Sequence, residues 1–166
     1  MALKNDIRGM SWVYPDYFEI GREQVRAFAR ASKCEHPAHF DEAAAAELGY
    51  QGIVAPLTYV SILAKIIQDD FFRNVDLGME TMQIVQVDQQ FVYHKPLLVG
   101  DRLFGRMTVE SVNERFGADI VVTKNTCTDQ NGEVVLSAST TLMGHEGDDS
   151  IQLRWDKETG QIVRTA

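Results

Sequence analysis

Between Leu57 and Phe72, apolar side chains surround most of a helix. Tyr59, Val60, Ile62, Leu63, Ile66, Ile67, Phe71 and Phe72 follow the helical period. They cover so much of the circumference that such a helix must be largely buried. Pro56 suits its first turn, where no intrahelical N–H is needed. Lys65, Gln68 and Asp69 leave a narrower polar side. A helix like this needs a broad partner surface, and the residues after it supply one.

After Gly78 the period changes to two. Val85, Val87, Gln89, Phe91 and Tyr93 alternate with Gln86, Asp88, Gln90 and Val92, which predicts a half-buried strand ending at Pro96. Asp88 and Gln90 fall on its solvent side. Three more strands are predicted over Leu103 to Val112, Ile120 to Thr128 and Val134 to Met143, the last after the turn Asp129-Gln130-Asn131-Gly132. The spacing predicts an antiparallel meander. With helices first and strands after, the fold class is α+β, a sheet wrapped around one long buried helix.

Upstream, Val25, Phe28, Ala29 and Ser32 predict a helix over Arg22 to Ser32, with Arg22, Arg26 and Arg30 on another face. Those arginines read either as a solvated face carrying Glu19–Arg22 and Glu23–Arg26 pairs, or as a docking surface for an acidic partner or phosphate group. A short helix should follow the N-cap Asp41 and end near Gly49. Downstream, Gly144 to Ser150 is rich in glycine and acid. It divides a domain over 1–144 from a tail over 145–166, which could form a hairpin around Glu158-Thr159-Gly160.

The 166 residues suffice for one domain with a real core. With 45% apolar and 24% charged residues the chain is not a disordered one. A net charge of -8 argues against a nucleic-acid partner. Two cysteines, Cys34 and Cys127, read as free thiols in a reducing cytoplasm, and nowhere do 18 consecutive apolar residues suggest a membrane span. The first twenty residues hold no secretory run. The histidines His36, His39, His94 and His145 show no metal spacing, so neither a metal nor a cofactor is expected. Phosphate loops and a serine-hydrolase elbow are missing. The segment from Cys34 to Asp41, dense in titratable groups, reads either as a solvated turn or as a loop presenting a His general base. Likewise the Tyr59–Phe72 stretch is either plain core or a lipid-binding wall.

Cys34-Glu35-His36-Pro37-Ala38-His39 resembles the hydratase loop of MaoC-like hot dog proteins, whose active members carry Asp-x-Asn-Pro-x-His. Further matching pieces are Leu48-Gly49-Tyr50, Val54-Ala55-Pro56-Leu57-Thr58, Val87-Asp88-Gln89, His94-Lys95-Pro96, Gly100-Asp101, Ile120 to Asn125 and Thr140-Thr141-Leu142. Together they resemble the mycobacterial-type (3R)-hydroxyacyl-ACP dehydratase subunits of type-II fatty acid synthase, in particular the C-type subunit that pairs with a catalytic B-type one in mycolic acid elongation. The resemblance runs from Met1 to about Gly144 and more loosely through the tail.

The resemblance implies a hot dog fold, two such units side by side and an acyl channel near their contact. It implies removal of water from a (3R)-3-hydroxyacyl-ACP, with a His taking the proton beside the thioester carbonyl. An Asp helps the hydroxyl leave, and a backbone N–H at the helix start steadies the enolate oxygen. His39 matches the dyad His, but Cys34 stands where the Asp belongs, and a thiol is mostly protonated at neutral pH and a weak hydrogen-bond partner. His36 replaces the motif Asn. Active members open the central helix with Ala-His-Gly; Ala55-Pro56-Leu57 stands here, without an N–H at Pro56 and with a bulky side chain at Leu57.

The expectation is a non-catalytic partner of a related hot dog subunit, acting on chains borne by acyl carrier protein. Pro56, Leu57, Tyr59, Val60, Leu63 and Ile67 are its candidate channel wall. Carrier proteins are acidic, as is this chain, so docking needs a local basic patch; Arg22, Arg26, Arg30 and Lys33 are the clustered candidates. The alternatives are a homodimeric enzyme using His39, with Glu35 or His36 in place of the Asp, or a non-enzymatic acyl-thioester binding module. A cone-shaped fold of the ketosteroid isomerase kind is the structural alternative.

Overall fold

The computed structural model describes residues 6–75, 82–115, 117–146, 152–156 and 161–165. Strand β1 (Ser11–Glu19) precedes helices α1 (Arg22–Ala31), α2 (Glu42–Glu47) and α3 (Ser61–Asn74). Strands β2 (Met82–Tyr93), β3 (Arg102–Arg115), β4 (Ala118–Thr128) and β5 (Val134–Glu146) follow, then β6 (Gln152–Asp156) and β7 (Gln161–Thr165). The main sheet is antiparallel, in the order β1-β3-β4-β5-β2.

Strand β1 is absent from the sequence reading. Its alternation of Trp12, Tyr14 and Phe18 is broken by Pro15-Asp16, and its register against β3 shifts between Val13 and Tyr17. Proline is tolerated there because β1 is an edge strand, with one side free of ladder bonds. β3, β4 and β5 form the expected meander. β2 departs from it: β1 occupies the free edge of β3, and β2 pairs with β5 at the opposite edge. There β2 is less buried than its alternation suggests. Val85 and Val87 are 53% and 51% exposed, and among the described side chains of the strand only Gln89, Phe91 and Tyr93 turn partly inward. The register shift between Gln86 and Asp88 interrupts the alternation at Val87. Asp88 and Gln90 are exposed, as expected.

The central helix starts four residues later than expected. The N–H groups of Tyr59, Ser61 and Ile62 each donate to the carbonyl three residues back, so tight turns lead from Pro56 into α3. Pro56 therefore precedes the helix. Leu63, Ile67 and Phe71 are sealed against Leu103, Met107 and Val109 of β3. Burying each such side chain stabilises by about 1.5–3 kcal/mol. At Gly105 the Ile67 side chain is pressed into the space a Cβ would take. Gln68, assigned to the polar side, is buried. α3 packs on β1 and β3, leaving room under its other flank.

Asp41 caps α2 by accepting from Ala44 N at 2.9 Å, and Gly49 ends that turn at φ +84°. Glu23 pairs with Arg26 as expected, at 2.8 Å. Glu19 instead meets Arg102, and Arg22 meets Glu42, because β1 carries Glu19 onto the β3 edge. β6 and β7 pair with Trp155 opposite Ile162. Gly78, residues 147–150 and the turn assigned to Glu158-Thr159-Gly160 lie outside the described residues.

Candidate functional site

The site begins where α1 stops. Lys33 takes the left-handed φ of +56°, and Cys34 N then returns to Ala29 O at 2.8 Å, closing the helix end. His36 next caps a short 3-10 turn, Pro37–His39, its Nδ1 accepting from Ala38 N at 3.2 Å. Ala38 is buried, and its carbonyl accepts from Val54 N at 3.2 Å. His39 answers with its ring: Nδ1 lies 2.8 Å from the Val54 carbonyl oxygen. A carbonyl only accepts, so Nδ1 carries the proton and, in the neutral ring, Nε2 keeps the lone pair.

The arginine stripe holds this loop from behind. Arg26 donates through Nε and Nη2 to Phe40 O, at 3.1 and 2.6 Å, and Arg30 lies 5.6 Å over the Phe40 ring. Arg22 is engaged with Glu42. Lys33 is exposed, and among the described residues neither it nor Arg30 has an acidic partner. The loop is thus braced from behind, while Glu35, His36 and Pro37 remain exposed to solvent.

A cavity of about 410 Å³ opens beside it, lined by Cys34, His36, Ala38, His39, Leu48, Tyr50 and Val54 to Thr58. A second, of about 310 Å³, shares Tyr50, Val54, Ala55 and Leu57 and adds Tyr93, His94, Lys95, Pro96 and Leu97. Leu57, 71% exposed, stands between them. The Tyr93 hydroxyl donates to the Leu57 carbonyl and fixes that turn. Burial, with Cys127 nearby, pushes the Tyr93 phenol up to about 12. Ala55 N is spent on Leu97 O at 2.8 Å, and Pro56 has no N–H to offer.

Among the described residues no carboxylate lines the His39 cavity. Cys34, which the resemblance sets at the Asp position, lines the cavity and accepts from Ser32 Oγ at 3.4 Å. Glu35 is exposed and off the cavity; His36 lines it, its ring centroid 6.2 Å from that of His39. Of the six wall candidates, Pro56 and Leu57 border the cavities. Tyr59, Val60, Leu63 and Ile67 are sealed in the core at 2% exposure or less. Leu48, Tyr50, Val54 and Tyr93 were not singled out from sequence as lining. The signals for them were the Leu48-Gly49-Tyr50 piece, the Val54 to Thr58 piece and the strand end at Tyr93. Among the described residues no cluster of three metal-ligating side chains occurs, and no helix is long and apolar enough to cross a membrane.

Residues 8–138 match the family model described as FAS1-like, dehydratase domain region. The chain belongs to this family. The relatives it matches include UPF0336 protein ML1908 of Mycobacterium leprae, 70% identical over the full length of both chains. UPF0336 protein Rv0635 of Mycobacterium tuberculosis is 42% identical over 90% of this chain and 94% of its own. Among solved structures, a C-terminally truncated HadBC (3R-hydroxyacyl-ACP dehydratase) complex from M. tuberculosis matches at 66% identity and a TM-score of 0.81. That match covers 86% of this chain and all of that one. A MaoC-like dehydratase matches at 36% identity and a TM-score of 0.80, over 88% of this chain but only 44% of that one. The fold is therefore the hot dog fold of the MaoC-like dehydratases, which settles it against the cone-shaped alternative.

Proposed function

We propose that this chain is the non-catalytic subunit of a heterodimeric (3R)-hydroxyacyl-ACP dehydratase of fatty acid and mycolic acid elongation in the cytoplasm. One observation carries the reading: among the described residues, the cavity beside His39 is lined by a thiol, a second histidine and a proline, but by no carboxylate. Elimination of water needs a group that protonates the leaving hydroxyl, and a thiol serves poorly as that donor. Losing one oxyanion donor alone costs about 10²–10³ in rate. With the Asp, the close-approach glycine and an N–H replaced together, the loop is left with little catalytic power.

The HadBC neighbour is a complex, and the longer MaoC-like neighbour matches this chain over less than half its length. Both support assembly with a second, related hot dog unit. In this chain the edge strand β2 offers Val85, Val87 and Val92 to such a unit, each about half exposed. The truncated neighbour spans 86% of this chain, which supports treating 1–144 as the hot dog unit and 145–166 as an appended tail. The acyl carrier protein would meet Arg30 and Lys33, the members of the basic cluster without acidic partners.

A second reading keeps His39 as a general base, because its Nδ1–carbonyl bond leaves Nε2 available. Expression separates the two. The non-catalytic reading predicts that the chain alone is poorly soluble and inactive on 3-hydroxyacyl thioesters. It predicts rescue of both properties by co-expression with a related subunit that has an intact Asp/His dyad. A monodisperse, active homodimer overturns it.

A further inference from the structure

The two histidines that line the cavity with Cys34 are held as opposite tautomers, each by one backbone group. Ala38 N–H donates to His36 Nδ1 at 3.2 Å, so that nitrogen keeps its lone pair and, in the neutral ring, Nε2 carries the proton. His39 is the reverse. Its Nδ1–H donates to the Val54 carbonyl, and its Nε2 keeps the lone pair. The first bond caps the 3-10 turn, and the second ties that turn to the segment before α3. Contacts of the fold itself thus set both tautomers.

Both side chains line the cavity of about 410 Å³, with ring centroids 6.2 Å apart and planes at 72°. Among the described residues no hydrogen bond engages either Nε2. The cavity therefore receives one ring donor, from His36, and one ring acceptor, from His39. Much of the remaining lining is apolar, with Leu48, Val54, Ala55, Pro56 and Leu57. In a pocket of that kind a few polar groups choose and orient the ligand.

The pair excludes several ligand classes. An ionised carboxylate or phosphate offers acceptor oxygens alone, and His39 Nε2 would then face a lone pair with a lone pair. A bare alkyl chain satisfies neither ring. A neutral ligand with an acceptor and a donor close together satisfies both.

We propose that His36 and His39 form a neutral clamp for 3-hydroxyacyl thioesters, in which His36 Nε2–H donates to the thioester carbonyl and His39 Nε2 accepts from the 3-hydroxyl. The ligand class rests on the reading under Proposed function. The clamp binds and does not react: His39 accepts a hydrogen bond and removes no proton, and no covalent bond forms or breaks. It favours the hydroxyacyl thioester over the enoyl thioester, which has no hydroxyl, and over the free acid, whose carboxylate has no donor.

Cys34 reports occupancy, because it lines the same cavity and is partly exposed. The measurement is the rate of its alkylation by iodoacetamide in the purified heterodimer, read by peptide mass spectrometry. The partner's dyad histidine is replaced so that the ligand stays intact. 3-Hydroxydecanoyl-CoA should slow the alkylation. Decanoyl-CoA and trans-2-decenoyl-CoA should need about 2- to 10-fold higher concentrations for equal protection, the worth of one net hydrogen bond. His36→Asn keeps a capping side chain but withdraws the ring N–H, and it should raise the concentration of 3-hydroxydecanoyl-CoA required by a similar factor. His36→Ser, another capping residue, should do the same should His36→Asn fail to assemble. Absence of protection overturns the clamp. Equal protection by decanoyl-CoA also overturns it, and assigns the two rings to the amides of the pantetheine arm. Loss of dehydration on His39→Ala in a heterodimer with an intact partner overturns the non-catalytic reading instead, and leaves the preference for the hydroxyl standing.

Discussion

Cys34 and Cys127 carry the same side chain in opposite surroundings. Cys34 borders the His39 cavity and is partly exposed; Cys127 is 2% exposed in the core, and burial pushes its thiol up to about 12. A raised thiol pKa favours the protonated, unreactive form, so Cys127 should stay unreactive up to about pH 9. Native protein treated with iodoacetamide should therefore be alkylated at Cys34 alone, and at both positions after denaturation, as read by peptide mass spectrometry. Equal labelling of both in the native state would contradict the packing of β4. At this scale the sequence was informative where a motif has fixed chemistry. Cys34, His36, Pro56 and Leu57 stood out because each breaks a pattern. Tyr93 and Val54 did not, because their roles depend on long-range contacts: a hydroxyl reaching a carbonyl 36 residues away, and a carbonyl meeting a ring 15 residues away.

The contact between α3 and β3 sets how deeply the helix sits. Gly105 has no room for a methyl group, since Ile67 already fills the space. Gly105→Ala should therefore destabilise the chain by about 1–3 kcal/mol in urea unfolding. Combining it with Ile67→Val should cost less than the sum of the two single changes, because the shortened side chain vacates the contested space. Strict additivity would show that the two residues do not meet. The helical period revealed α3 but misplaced its start, since tight turns from Pro56 to Val60 carry apolar side chains with nearly the same spacing. It also misjudged Gln68, whose polarity suggested solvent where the structure places it against the sheet. β1 was illegible because Pro15-Asp16 mimics a turn, and only an edge position reconciles that pair with a strand.

For the whole molecule, the exposed apolar row of β2 is the surface proposed to meet a second hot dog unit. A Lys at Val87 puts a charge on that edge, and exposed edges blunted by charge pair poorly. Val87→Lys should lower recovery of the heterodimer in co-purification while leaving the circular dichroism of the chain unchanged. Undiminished recovery would move the interface elsewhere. The architecture was legible from the change of period after α3, and the strand order was not, because period says nothing of which edge a strand joins. The central claim concerns His39. Reconstituted complexes should be assayed for kcat/KM on a 3-hydroxyacyl thioester with His39→Ala in this chain, and separately with the partner's dyad histidine replaced. The account predicts that His39→Ala changes the rate less than about threefold, whereas replacing the partner's histidine lowers it by about 10²–10⁴. A loss of that second size from His39→Ala in an intact heterodimer would contradict it.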